Sequence, residues 1–99
     1  MADIMRGTDI PITLTNLPEG IDIKRLDFAQ NGVIVITKVH DDFTIDGTTG
    51  TCELTQEETL KLNEKRKVEI QLSYLLGGRA QRTYITTISA SRILYEGVI

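Results

Sequence analysis

The chain has one cysteine, one histidine, two prolines and no tryptophan, and aromatic residues make up only 5% of its 99 positions. Each shortage removes an option. The lone Cys52 cannot close an internal disulfide, so stability has to come from packing and a reducing compartment is acceptable. Cys52 and His40 together cannot supply four N/S ligands, which excludes a structural zinc site. Lys and Arg number 11 against 14 Asp and Glu, for a net charge of -3. These charges are interspersed rather than gathered into the basic stripe that phosphate neutralisation requires, so no nucleic-acid partner is expected. No apolar run approaches the ~20 residues of a membrane span, and no polybasic amphipathic helix suggests binding at a membrane surface. Met1-Ala2-Asp3-Ile4-Met5-Arg6 has no apolar run of leader-peptide length. Synthesis and folding in a cytoplasm are therefore expected.

What is present is ordinary globular composition, 40% apolar and 25% charged, which suits one folded domain over residues 1–99. A chain this size buries roughly two-thirds of its unfolded surface. Residues 1–8, ending in Arg6-Gly7-Thr8, read as a loose N-terminal arm. Ile10, Ile12 and Leu14 then alternate with Asp9, Pro11 and Thr13, the pattern of a half-buried strand. Pro11 cannot donate to a ladder, which puts this strand at a sheet edge. Asn16-Leu17-Pro18-Glu19-Gly20 is turn chemistry. In the next strand Ile21 and Ile23 share one parity while Leu26 and Phe28 share the other, so a bulge near Lys24-Arg25 is expected. Asn31-Gly32 signals a two-residue hairpin. The returning run Val33-Ile34-Val35-Ile36 is continuously apolar and suggests contact on both faces.

After a break over Val39 to Asp42, Phe43-Thr44-Ile45 and Thr51-Cys52-Glu53-Leu54 read as short strands. The turn between them is Asp46-Gly47-Thr48-Thr49-Gly50. Thr55 and Glu58 have the spacing of a capping box and open a helix running to about Leu62. Lys61, Lys65, Arg66 and Lys67 crowd its end, where cations suit the helix dipole. Val68, Ile70, Leu72 and Tyr74 alternate up to Gly77-Gly78, a second two-residue turn. That turn sets Leu76 opposite Arg79, Tyr74 opposite Gln81, Leu72 opposite Thr83 and Ile70 opposite Ile85. Ile85 then shares the core face with Val68, Ile70, Leu72 and Tyr74. Ile88 has the other parity, so a bulge near Thr86-Thr87 is expected. About seven short strands with Gly-rich turns fit a mainly all-β chain. The expected fold is an antiparallel β-sandwich with one short helical crossover near residues 56–62. A small β-barrel is the alternative.

The search for reactive chemistry yields little. His40 adjoins Asp41 and Asp42, but nucleophilic catalysis needs a serine or cysteine alongside, and no G-x-S-x-G elbow exists. An exposed turn histidine and a buried thiol at Cys52 are the plainer reading. Asp41, Asp42 and Asp46 lack calcium-loop spacing and the distal bidentate glutamate. Gly77-Gly78-Arg79 lacks a phosphate-loop framework. Glu57 and Glu58 sit in the first helical turn, where the dipole favours them. No enzyme activity, metal or cofactor is expected.

Three stretches carry a resemblance. They are Arg6-Gly7-Thr8 ahead of an alternating strand, Leu54-Thr55-Gln56-Glu57-Glu58-Thr59-Leu60, and the ending Ile93-Leu94-Tyr95-Glu96-Gly97-Val98-Ile99. In that order they resemble small β-sandwich proteins from tail-gene regions of phages and prophages of Gram-positive bacteria. The layout is also similar to the immunoglobulin-like N-terminal module of phage baseplate upper proteins. The Leu17-Pro18-Glu19-Gly20 turn departs from the pattern. The resemblance implies an immunoglobulin-like sandwich and a non-enzymatic structural or assembly role at the phage tail or baseplate. It further implies assembly in the bacterial host cytoplasm, a place in the virion, and no cofactor.

Two surfaces are candidates for contact with other phage structural proteins or for homo-oligomer formation. The edge strand carrying Ile10, Ile12 and Leu14 could accept a neighbour's strand. The tail carrying Tyr95, Val98 and Ile99 could fill an apolar groove. The alternative function is a carbohydrate-binding module for host surface glycans, with Tyr84 and Tyr95 as its aromatic platforms.

Overall fold

The computed structural model describes residues 4–99, and just over half of these are strand. The strands are β1 (Ile4–Met5), β2 (Ile10–Leu14), β3 (Asp22–Gln30), β4 (Val33–Val39), β5 (Thr44–Asp46), β6 (Thr49–Leu54), β7 (Val68–Leu76), β8 (Arg79–Arg82), β9 (Thr86–Ile88) and β10 (Ala90–Ser91). Among the described residues the one α-helix, α1, is Gln56–Leu60, and a single 3-10 turn covers His40–Asp42. The strand count exceeds about seven because the final strand is broken in two and short pieces form at both ends of the chain. A small antiparallel sheet has the order β2-β6-β5. A larger one has the order β4-β3-β7-β8, with β9 also pairing β7. The sheets are not closed into a barrel.

Inward residues of both sheets belong to one buried cluster. Ile12, Cys52 and Leu54 come from the small sheet, and Leu26, Phe28, Ile36, Val68, Ile70 and Leu72 from the large one. Removing this apolar surface from water is the main favourable term in folding. Period-two alternation in β3 and β7 aims these side chains inward. The parity change in β3 is absorbed by a register shift between Ile23 and Arg25, so Ile23 and Leu26 are both buried. Asn31 and Gly32 take positive φ, 54° and 77°, and close the β3–β4 hairpin.

The structure corrects four expectations. First, residues 4–8 are not a loose arm: β1 pairs parallel with β10, and Ile4 and Arg6 are buried. Met1, Ala2 and Asp3 lie outside the described residues. Secondly, β4 is not covered on both faces. It lies at the edge of its sheet, with Ile36 buried and Val33 and Ile34 exposed. The continuous apolar run instead accommodates a bulge, since Phe28 faces Ile36 while Ala29 faces Ile34, leaving Val35 over.

Thirdly, the β7–β8 register follows the Gly77-Gly78 turn only as far as Ser73 opposite Arg82. Farther down, Ile70 faces Thr86 rather than Ile85. The slip is held at Thr83. Its N–H donates to Leu72 O, its hydroxyl accepts from Leu72 N–H at 3.0 Å, and its carbonyl accepts from Gln71 Nε2. The chain therefore bulges before Thr86, earlier than the parity argument placed it, and Ile85 turns outward while Ile88 is buried. Fourthly, α1 ends at Leu60 rather than Leu62, because a turn takes over through Leu62 N–H to Thr59 O.

Candidate functional site

The three stretches that stood apart in sequence meet in space at the end of α1. The helix begins as its sequence dictates. Thr55 Oγ1 accepts from Glu58 N–H at 3.3 Å, and Glu58 Oε1 accepts from Thr55 N–H at 2.9 Å. Lys38 adds a 2.7 Å bond to the same carboxylate oxygen. Burial pushes the Glu58 carboxyl up, but the bonds from Lys38 and Thr55 outweigh it and hold the group below its usual range.

At the other end of α1 the carbonyl of Leu60 needs a donor, as does the buried carbonyl of Leu62 in the turn that follows. The neighbouring lysines do not supply them, and no basic residue lies in the last helical turn. Arg6 does. It donates to Leu60 O at 3.0 Å and to Leu62 O, and it forms a fork with Glu96 at 2.8 and 2.9 Å. A guanidinium suits this place because its planar donors can serve a carboxylate and nearby carbonyls together. The bond with Glu96 outweighs burial and raises the Arg6 pKa, and Arg6 in turn holds the Glu96 carboxyl below its usual range.

Gly7 and Thr8 complete the junction. Gly7 has φ +70°, and a Cβ there would stand 3.1 Å from Ile93 Cδ1 and 3.3 Å from Leu60 Cδ2. Both the backbone angle and the space therefore call for glycine. The Thr59 hydroxyl donates to Thr8 O at 2.9 Å and accepts from Thr8 N–H at 3.1 Å. Gln56 repeats the arrangement with Ile99: its Oε1 accepts from Ile99 N–H at 2.9 Å and its Nε2 donates to Ile99 O at 3.1 Å.

The C-terminal segment is thus held at two points, the Glu96 carboxylate and the Ile99 backbone, and beyond Ile93, which packs beside Gly7, its apolar side chains are exposed. Leu94 is 92% exposed, Tyr95 67%, Val98 50% and Ile99 90%. Of the expected interaction residues, Tyr95, Val98 and Ile99 are each exposed along this stretch. Ile10, Ile12 and Leu14 do lie on an edge strand, but Ile12 is buried and Ile10 and Leu14 pack against the core. Only the edge itself and the flank beside Leu14 are presented outward.

That flank opens into an apolar groove of about 290 Å3 between β2 and the β8–β9 break. Leu14, Leu17, Leu26, Ile70 and Leu72 form its apolar lining, and the remaining lining residues are threonines. Sequence reasoning missed Arg6 as a helix-capping cation, Leu94 as a further exposed apolar residue of the C-terminal stretch, and the groove. The only local sign of the clasp was a basic residue in one motif and an acidic residue in another, 90 positions apart.

Cys52 is buried, and burial pushes its thiol up to about 11, leaving it protonated at neutral pH. His40 is exposed, with Nδ1 3.2 Å from Ile23 O and 3.5 Å from Asp22 Oδ1. Among the described residues, no group of three or more His, Cys, Asp or Glu is placed to hold a metal ion. No family model, curated protein or solved structure matches the chain.

Proposed function

We propose that this is a non-enzymatic structural or assembly protein of a phage tail or baseplate, built as an immunoglobulin-like β-sandwich and acting through protein–protein contacts. The observation that carries the reading is the C-terminal stretch, where Leu94, Tyr95, Val98 and Ile99 face solvent while Arg6 holds the Glu96 carboxylate and Gln56 holds the Ile99 backbone. Neighbouring exposed apolar side chains of this kind mark a surface for a partner. The phage assignment draws support from the resemblance, whose three motifs converge on one junction and so form a single structural unit. In this role the chain works in the host cytoplasm during assembly and then in the virion.

The test is direct binding between the purified chain and purified tail proteins encoded in the same genome. Binding that is lost in Leu94→Arg and Ile99→Arg is the expected result. Absence of binding to every tail component would refute the role. A second reading has one observation in its favour: Tyr84 is 96% exposed, as an aromatic platform for a sugar has to be. Glycan-array binding abolished by Tyr84→Ala, in a chain that ignores tail proteins, would replace the first reading with a carbohydrate-binding module.

A further inference from the structure

We infer that the loop leading from α1 into β7 carries a binding site for an acidic peptide segment of a partner protein, whose carboxylates pair with Lys65, Arg66 and Lys67. The site goes beyond the C-terminal stretch, which contributes none of its lining, and it does not depend on the phage assignment. In sequence these cations suit the dipole at the end of α1, but Arg6 caps that end instead. Buried Gln30 sets the course of the loop. Its Oε1 accepts from Asn63 N–H at 2.8 Å, and its Nε2 donates to Asn63 O at 2.7 Å and to Arg66 O at 3.1 Å. Asn63 continues the bracing. Its Oδ1 accepts from Lys65 N–H at 2.8 Å and its carbonyl from Arg66 N–H at 3.3 Å. Lys65, Arg66 and Lys67 are left exposed on this braced backbone. A loop already fixed leaves only side chains to be ordered on binding, which lowers the cost of association.

The three cations border an open pocket of about 500 Å3, together with Asn31, Gly32 and Thr87. Among the described residues none of the three takes part in an ion pair. Lys67 donates to the Ser89 hydroxyl at 2.7 Å, a neutral partner that leaves its charge uncompensated. Glu69 is the one acid in the lining, and its Oε1 accepts from Gly32 N–H at 2.9 Å. Glu64 approaches Arg6 at 3.7 Å and does not line the pocket. Three cations thus meet one carboxylate in a chain whose net charge is -3. This local reversal of sign selects an anion. The kind of anion follows from what the pocket offers. Compact phosphates are commonly held by clustered backbone N–H groups, and here those of Gly32, Lys65 and Arg66 are already spent within the protein. Single-stranded nucleic acid is held on aromatic platforms, and the lining has none. What remains is three long-stemmed cations around an open space. They match several separate carboxylates along a peptide better than one compact group, and both the ammoniums and the planar Arg66 fork bond carboxylates well.

The experiment follows the fluorescence anisotropy of a labelled octaglutamate peptide titrated with the full chain. The wild type should bind it. The triple variant Lys65→Gln, Arg66→Gln, Lys67→Gln should bind roughly tenfold more weakly, since an exposed pair is worth a factor of about 1.5 to 5. A control triple, Arg79→Gln, Arg82→Gln, Arg92→Gln, makes the same change of net charge elsewhere and should shift binding by less than about twofold, because salt screens distant charges. All six cations are exposed, so folding is preserved, and urea denaturation verifies it. Glu69→Gln keeps an acceptor for Gly32 N–H, removes the one opposing charge and should tighten binding by about twofold. A wild type that ignores the peptide at millimolar concentration overturns the site, and so does equal weakening in the two triple variants. Displacement of the peptide by inorganic phosphate or a single-stranded DNA oligonucleotide at lower concentration than by unlabelled octaglutamate also overturns it, in favour of a phosphate-bearing ligand. The role proposed above fails separately, through tail-protein binding and its response to Leu94→Arg and Ile99→Arg.

Discussion

Arg6→Met tests the terminal clasp most directly. Methionine keeps an apolar stem of similar length and removes only the guanidinium. The Leu62 carbonyl, bonded by Arg6 in a buried setting, loses its donor, as does the half-buried carbonyl of Leu60. Leaving a buried acceptor unpaired costs about 1–3 kcal/mol, and a half-buried one part of that, so the two together come to about 2–4 kcal/mol. The ion pair with Glu96 adds little, because that side chain is 58% exposed and water screens it. Urea denaturation should show the loss as a lowered midpoint with the same slope. At roughly 4–8 °C per kcal/mol for a domain of this size, the melting temperature falls by about 8 °C or more. Glu96→Gln should lose only a small fraction of what Arg6→Met loses. Hydrogen exchange in Arg6→Met should rise first at β1, β10 and the Ile99 amide. A stability for Arg6→Met within about 0.5 kcal/mol of wild type, the ordinary range for surface substitutions, would refute the claim that helix-end carbonyls depend on this side chain. So would equal losses in Arg6→Met and Glu96→Gln.

Three further outcomes follow from other parts of the fold. Gly7→Ala should cost about 1–2 kcal/mol from the left-handed backbone alone, with more from crowding against Ile93 and Leu60, whereas Gly20→Ala should cost only the backbone part, as nothing lies within 4 Å there; paired denaturation curves measure the difference. The depressed Glu58 carboxyl contributes stability that is complete above its unfolded pKa, about 4.3, and is lost as pH falls through the lower folded value. Acid titration of stability should accordingly flatten below about pH 4 in Glu58→Gln, and an unchanged slope would exclude Glu58 from the acid transition. Thr83→Val removes the hydroxyl that accepts from Leu72 N–H, and an unpaired buried donor costs about 1–3 kcal/mol; increased exchange of the Leu72 amide checks it, and full protection would count against the hydroxyl as the pin of the bulge.

Local chemistry made much of the strand layout readable. Asn31-Gly32 and Gly77-Gly78 close hairpins because their backbones accept positive φ, and Pro11 marks an edge because it has no N–H to give. The Thr55–Glu58 box starts the helix within four residues of chain. The alternation of Val68, Ile70 and Leu72 puts all three in the core. Ile85 was misplaced by the same reasoning, because a period-two count carries a register past a bulge it cannot detect. The pin at Thr83 is a hydroxyl reaching a strand 11 residues away, and nothing in the local pattern distinguishes that threonine from Thr86 or Thr87. The run Val33 to Ile36 failed similarly: hydrophobicity records what a strand tolerates, and only the packing left Val33 and Ile34 exposed while Ile36 turned inward past the bulge.

By itself, then, the sequence determined the turns, the helix start, the alternation that fills a β core and the shortage of reactive side chains, since each depends on residues within a few positions of one another. Only the tertiary structure decided that Arg6 would cap α1, that Glu96 would brace it and that Leu94, Tyr95, Val98 and Ile99 would stand outward. Those outcomes depend on bringing together segments as much as 90 residues apart. Once packing has closed the intervening chain, a distant arginine can satisfy carbonyls that the adjacent lysines leave open.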